Sequence, residues 1–480
     1  MEADRGDQWA GVDLYLYTAP FTRFEPERSW ADNTNLDKAR ALLWDIKMKY
    51  GTSLSWGDLF VLAGDAAIES MGGKILGFCG GRLDAEDGSE SIQLGPSDIQ
   101  EDLFPCTSLE LENGECPEPL GANTVGLIYV NPEGHLANGD PVESANDIRD
   151  VFGRMNFDDE EIVAIIGGGH AFGKAHGACP DGAGPSPIED PFNPYPGKCG
   201  EGVANTFTSG FELPFTSNPT YWDNEYFKNL IDYEWESFTG PGGHLQWRPV
   251  KPDNGDVPMA PTADLSGTES IGLLTSDVAL KNDAKFFEYV KLFAENMTYF
   301  DEEFAHAWYQ LTTRDMGPRA RCVNADAPPP QHWQFPLPEP QTNDEAPDYE
   351  LVKIRIVELL DTEPRSQGEL IRLAWQCAST FRVTDYLGGC NGARVRFSPG
   401  KDWDVNKNIN TALDRLQPIK DEFSSMTWAD LIVLAGTTAM EVGTGGSVNL
   451  PFCGGRLDET QQNIDSTEGN AWSSLKPRIR

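Results

Sequence analysis

The chain has 480 residues, of which 39% are hydrophobic and 13 are Trp, enough to bury a sizeable core. Its 76 acidic residues against 37 basic ones give a formal net charge of −39, which makes nucleic acid and anionic membrane surfaces poor partners, because the field of the whole molecule repels polyanions. No run of about eighteen apolar residues suggests a membrane span, and the first residues lack the basic and apolar regions of a signal peptide. The nine Cys are scattered without paired spacing, so neither a disulfide framework nor a thiolate zinc site is indicated, and a reducing, cytoplasmic setting is the expectation.

Along the chain, Arg23-Phe24 and Trp30 precede a pattern in which Leu36, Ala39, Leu42, Leu43, Ile46 and Tyr50 share one helical face. The next run, Leu59 to Ile68, is apolar nearly all round and predicts a buried helix. The heptapeptide Phe78-Cys79-Gly80-Gly81-Arg82-Leu83-Asp84 closes this block. Residues 85–125 and 178–220, rich in Gly, Pro and Asp, read as long loops. Between them, Asp158-Asp159-Glu160-Glu161 sets acidic residues in a first helical turn, where the helix dipole favours them. An apolar turn follows, and then Gly167, Gly168 and Gly169 strip side chains from the backbone just before His170. Glycines beside a histidine let something large and flat approach the backbone closely. A phosphate loop would need Gly-Lys-Ser/Thr, which is missing. His170 and His176 could ligate zinc, but their six-residue spacing suits no regular helical face and no third ligand is local. A lone histidine in the core is the plain alternative.

Residues 323–347 hold seven Pro in twenty-five positions and read as a stiff linker. Beyond it, Ser366 and Glu369 predict a capping box, and Leu370, Leu373, Ala374, Cys377 and Phe381 make one helical stripe. The chain then repeats itself. Thr427-Trp428-Ala429-Asp430-Leu431-Ile432-Val433-Leu434-Ala435-Gly436 matches Ser55-Trp56-Gly57-Asp58-Leu59-Phe60-Val61-Leu62-Ala63-Gly64, and residues 452–458 are identical to residues 78–84. Arg396-Phe397 and Trp403 match Arg23-Phe24 and Trp30 at an offset of 373. Solenoid repeats run about 20–50 residues, so this is a duplicated domain. The reading is a mainly α protein with a helical domain at 1–322, a linker at 323–347 and a partial second copy at 348–480.

The segment GGGHAFGKAHG (Gly167 to Gly177) resembles the proximal-histidine signature of haem peroxidases, and of catalase-peroxidases in particular. Leu127-Ile128-Tyr129-Val130-Asn131-Pro132-Glu133-Gly134, Thr275-Ser276-Asp277 and Arg314-Asp315-Met316-Gly317-Pro318 are further matches, in that family's order. A two-copy chain with haem in the N-terminal copy only is also that family's architecture. The resemblance implies haem-dependent reduction of hydrogen peroxide, with peroxidase and catalase branches, a small electron donor, one haem b per chain and a possible homodimer. His170 would be the axial ligand of the iron. Asp277 would accept the other ring N–H and make the imidazole more electron-donating. Gly168, Gly169, Phe172, Lys174 and Ser209 would line the haem. Tyr129 and Met155 match two members of the family's Trp–Tyr–Met cross-link, and Arg314 matches an arginine that swings towards that tyrosine.

Two departures qualify the resemblance. Phe215 stands where the family places a tryptophan beside the proximal His–Asp pair. Peroxide cleavage also needs a distal Arg, Trp and His for proton transfer and charge stabilisation. Sliding the repeat by 373 sets Trp375 and Gln376 opposite Glu2 and Ala3, and Arg372 before Met1, so the chain reads as truncated at both ends. In the second copy Gln376 occupies the place of a base, and an amide cannot shuttle protons near neutral pH. That copy is expected to bind no haem. The sequence therefore reads as a fragment or mis-started version of an active enzyme, with a non-catalytic haem-binding pseudo-peroxidase as the alternative.

Overall fold

The computed structural model describes residues 23–25, 28, 36–88, 130–154, 157–175, 189–190, 211–241, 243–251, 255–262, 265–334, 347–381 and 388–460. The chain divides into two compact units. The described residues of 23–315 and 323–328 form the first, and those of 316–322 and 329–460 the second. Both are mainly α, as the periodicities predict; the described strands form three two-stranded ribbons, all in the first unit.

The first unit begins with α1 (Leu36–Tyr50) and α2 (Trp56–Met71). The apolar stripe predicted for α1 is helical but not covered: Leu42 is 84% exposed, and Leu36, Ile46 and Tyr50 are exposed too. Helix α2 starts where Ser55 Oγ accepts the Asp58 N–H at 3.0 Å and ends at Gly72 in the left-handed region. It buries one face through Leu59, Val61, Asp65 and Ile68 and leaves Leu62 in solvent, so it is half-buried rather than surrounded.

Then come α3 (Pro141–Arg154) and α4 (Asp159–Gly169). The acidic first turn of α4 also forms a capping box that the helix dipole alone does not predict: Asp158 accepts from Glu160 and Glu161 N–H groups, and Glu161 accepts from Asp158 N–H. After α4 the chain makes β1 (Lys174–Ala175), paired with β2 (Leu213–Pro214), and α5 (Glu225–Asp232). The hairpin of β3 (Trp235–Thr239) and β4 (Leu245–Pro249) and the ribbon of β5 (Met259–Pro261) and β6 (Thr268–Ser270) lead into three helices. These are α6 (Thr275–Asn282), α7 (Ala284–Glu295) and α8 (Met297–Thr313). Helix α4 packs on α7 and α8, α3 on α6, and α5 on α7, around an aromatic-rich core with Phe227, Phe286, Phe293, Phe300 and Phe304 at its centre. This packing explains two of the glycines before His170. A Cβ on Gly167 would lie 2.0 Å from Phe227, and one on Gly168 would lie 2.0 Å from Phe304.

The second unit holds α9 (Tyr349–Thr362), α10 (Ser366–Ala378), α11 (Ile409–Glu422) and α12 (Trp428–Gly443). Helix α10 packs on both α11 and α12, with Leu370, Leu373 and Cys377 buried as the stripe predicts and Phe381 exposed. The expected capping box is not formed. Arg365 is the N-cap, Ser366 already lies inside the helix, and Glu369 is drawn away to Arg415 at 2.6 Å. The expectation of no disulfides is also corrected: Cys377 and Cys390 are bonded, with Cα atoms 4.8 Å apart. The thirteen-residue spacing does not announce the bond; Gly388 (φ +73°) and Gly389 (φ +75°), just before Cys390, take the left-handed backbone that glycine permits. No described helix is long and apolar enough to cross a membrane.

Candidate active site

The densest arrangement of buried polar groups around a histidine is at the C-terminal end of α4. His170 caps that helix, its N–H donating to Ile166 O at 2.9 Å. Its ring reaches the first turn of α6, where Nδ1 donates to Asp277 Oδ1 at 2.6 Å. Three tethers hold that turn in place. Trp247 in β4 and Leu273 exchange backbone hydrogen bonds at 2.8 and 2.9 Å, Gly272 N–H donates to Pro214 O at 2.8 Å, and Thr275 N–H to Pro132 O at 2.9 Å. The motif containing Pro132 thus supports the site from outside it.

Asp277 is fully buried yet fully engaged. Besides the imidazole, Tyr226 Oη donates to Oδ1 at 2.7 Å and Leu274 N–H to Oδ2 at 2.8 Å. Three donors satisfy a charge that would otherwise be costly to bury. Burial, reinforced by the neighbouring Asp277 charge, pushes the Tyr226 phenol well above its ordinary pKa, so it acts as a permanent donor. Its ring meets His170 edge-on at 5.8 Å, while Phe215 stacks on the imidazole at 3.9 Å with 6° between planes. The β1–β2 pairing places Phe215 there, because it ties the strand after His170 to the strand before Phe215.

The other imidazole edge is different. The His170 side chain is 25% exposed against 0% for Asp277, and among the described residues Nε2 has no hydrogen-bond partner. Gly169, next to it, is exposed, and a Cβ there would meet nothing within 4 Å. A neutral imidazole whose Nδ1 proton is fixed by a carboxylate presents the Nε2 lone pair outward, which is the chemistry of an axial metal ligand.

The structure brings together His170, Asp277 and Phe215. Phe172 lies half-buried, 6.2 Å from Trp222 between ring centroids, and Lys174 pairs with Glu269 while donating to Pro261 O at 3.2 Å. Gly168 is turned into the core against Phe304. Arg314 is buried just after α8, where its charge opposes the rise of the Glu161 carboxyl. Burial nonetheless pushes that carboxyl up to about 7. Tyr129, Met155, His176 and Ser209 lie outside the described residues. Sequence reasoning missed Tyr226. Nothing in Asp223-Asn224-Glu225-Tyr226-Phe227 marks one tyrosine as a partner of an aspartate fifty-one positions on.

A sequence model of the peroxidase family matches residues 15–296 and 352–477, one match on each side of the Pro-rich stretch 323–347. The chain belongs to the peroxidase family. Among curated proteins it is 44% identical over 477 residues to catalase-peroxidase 1 of Haloarcula marismortui, covering 95% of this chain and 64% of that one. It is 43% identical to the catalase-peroxidases of Escherichia coli and Natronomonas pharaonis, with 95% of this chain covering 62% and 66% of theirs. The chain therefore spans just under two thirds of the length of these relatives.

Proposed function

We propose that the chain is a haem-dependent oxidoreductase of the catalase-peroxidase type, reducing hydrogen peroxide with a small electron donor. The observation that carries this reading is the asymmetry of His170, with Nδ1 locked to a buried carboxylate while the side chain stays 25% exposed and Nε2 has no hydrogen-bond partner among the described residues. The donor set fits haem b, whose iron the free imidazole nitrogen of His170 would hold.

Haem, when bound, supplies the redox chemistry that cleaves the peroxide bond. The residues of the chain prepare the ligand. Asp277 holds the Nδ1 proton and so raises the donor strength of Nε2. Tyr226 and Leu274 N–H hold that carboxylate aimed at the imidazole. Phe215 fixes the imidazole plane and keeps water from the His170–Asp277 bond. Phe172, Lys174, Ser209 and Gly169 are the proposed haem-lining residues, whereas the Cα of Gly168 faces Phe304. Tyr129, Met155 and Arg314 are proposed to serve the catalase branch. A homodimer and a cytoplasmic location complete the reading, although the Cys377–Cys390 bond stands against a compartment that keeps thiols reduced.

The test is electrochemical. In haem-loaded protein, Asp277→Asn keeps a hydrogen-bond acceptor of nearly the same shape but removes its charge. The ferric/ferrous midpoint potential is expected to rise, because an imidazole with less anionic character stabilises ferric iron less. A midpoint unchanged by Asp277→Asn counts against the assignment.

A further inference from the structure

A column of aromatic rings runs away from the site through the first unit. Phe172 lies 6.2 Å from Trp222, Trp222 lies 4.4 Å from Phe304, and Phe304 stacks on Trp308 at 6.3 Å, all measured between ring centroids. Both tryptophans in it give their indole N–H to a carboxylate. Trp222 Nε1 donates to Asp301 Oδ1 at 2.8 Å, and Trp308 Nε1 to Asp65 Oδ1 at 2.7 Å.

The two pairs are not equivalent. Asp301 sits 3.4 Å from Lys74, which shares its charge. Asp65 is buried, forms no salt bridge among the described residues, and leaves Oδ2 without a hydrogen-bond partner. A half-buried indole needs an acceptor, but any backbone carbonyl would serve. A desolvated carboxylate with one idle oxygen is an expensive acceptor. Burial pushes Asp65 up to about 6, which makes it a better proton acceptor than an ordinary aspartate.

The duplication supplies an internal control. Gly64-Asp65 in α2 correspond to Gly436-Thr437 in α12. In the first unit the Trp308 ring lies so close over Gly64 that a Cβ would meet it at 3.0 Å. In the second unit Ala374 fills the space over Gly436, and Thr437 Oγ1 donates to its own helix at Val433 O and Leu434 O. The carboxylate is therefore no requirement of the helix. It occurs in the unit that carries His170, opposite a tryptophan.

We propose that Trp308 is a one-electron oxidation site at which a surface-bound donor delivers electrons to the interior, with Asp65 receiving the indole proton. The proposal rests on the haem reading above for its oxidant, hydrogen peroxide acting through the bound haem. Trp308 gives one electron through Phe304 and Trp222, and its N–H proton passes to Asp65 Oδ1, leaving a neutral indolyl radical and a protonated carboxyl. A phenol-class donor then gives one electron to the radical, Asp65 returns the proton to the indole nitrogen, and the donor proton leaves to water. Two such cycles supply two electrons, and with two protons from solvent one peroxide becomes two waters. The balance is two donors oxidised to radicals per peroxide.

The experiment has two arms on the full chain. In the first, haem-loaded protein receives peroxide without a donor, and radicals are read by freeze-quench EPR with ring-deuterated tryptophan and by peptide mass spectrometry of oxidised Trp. In the second, haem-free protein is oxidised by photogenerated tris(bipyridyl)ruthenium(III). Trp308 is expected to dominate the tryptophan signal in both. Trp308→Phe should abolish that component, and the near-isosteric Asp65→Asn, checked for folding by circular dichroism, should reduce it several-fold. A signal indifferent to both substitutions overturns the proposal. Failure to load haem would overturn the haem reading alone, and the second arm still decides the Trp308–Asp65 pair.

Discussion

The two copies of the heptapeptide solve the same local problem with the same bonds, and differ in what surrounds them. Asp58 accepts from Gly81 N–H at 2.9 Å, Arg82 N–H at 3.2 Å and Arg82 Nη1 at 2.9 Å; Asp430 accepts from Gly455 at 2.7 Å, Arg456 at 3.2 Å and Arg456 Nη1 at 2.9 Å. Asp84 and Asp458 likewise accept from Trp56 and Trp428 N–H groups at 2.6 and 2.8 Å, anchoring the starts of α2 and α12. Beyond this the copies part. The Arg82 side chain is 0% exposed and donates to Thr312 O at the end of α8, whereas that of Arg456 is 30% exposed. Cys79 is buried and disulfide-bonded, while Cys453 is an exposed free thiol. The duplicated block is a scaffold. The proposed axial histidine and its carboxylate belong to α4 and α6, and residues 348–480 contain no histidine.

The largest test of that comparison is the paired substitution Asp58→Ala and Asp430→Ala. Asp58→Ala strands a fully buried guanidinium, so it should destabilise the first unit by about 3–5 kcal/mol. Asp430→Ala leaves Arg456 partly solvated and should cost the second unit about 1–3 kcal/mol. Amide hydrogen exchange on peptides from each unit measures both. Equal costs would mean that the surroundings do not matter.

A smaller effect separates the units by pH. In the first, burial raises Asp65 to about 6 and Glu161 to about 7, above their unfolded values of 3.8 and 4.5. Such groups favour the folded state when protonated, so their contribution is full below pH 4 and is lost as pH rises from about 4 to about 7. In the second unit the Lys353 hydrogen bond holds Glu441 below its ordinary range, a contribution present above the unfolded value and lost as pH falls. Between pH 4.5 and 7.5 the first unit should therefore lose protection relative to the second. Glu161→Gln should reduce the first unit's stability change over this range by up to about 3 kcal/mol, at roughly 1.4 kcal/mol per pKa unit. A slope unaltered by Glu161→Gln removes this carboxyl from the account.

Much of this was legible in the sequence where the signal is local or repeated. The duplication, the acidic start of α4 and the helical patterns of α1, α2 and α10 follow from spacing and propensity, because neighbours along the chain set them. What stayed hidden depends on distant residues. Tyr226 reaches Asp277 across fifty-one positions, and Cys377 meets Cys390 thirteen positions on, just past two glycines with positive φ. Ser366 and Glu369 had the right spacing for a cap, but Arg415 offered Glu369 a stronger partner than a backbone N–H. The glycines before His170 were read as room for a flat group, yet two of the three make room for Phe227 and Phe304.

The central claim is that the first unit holds one haem through His170 Nε2 and the second holds none. Titrating the full chain with haemin, and following the Soret band and bound iron, tests it most directly. The account predicts saturation at one haem per chain, and loss of that band's ligand-specific position and of stoichiometric binding in His170→Ala. Unchanged binding in His170→Ala, or saturation at two haems, would contradict it.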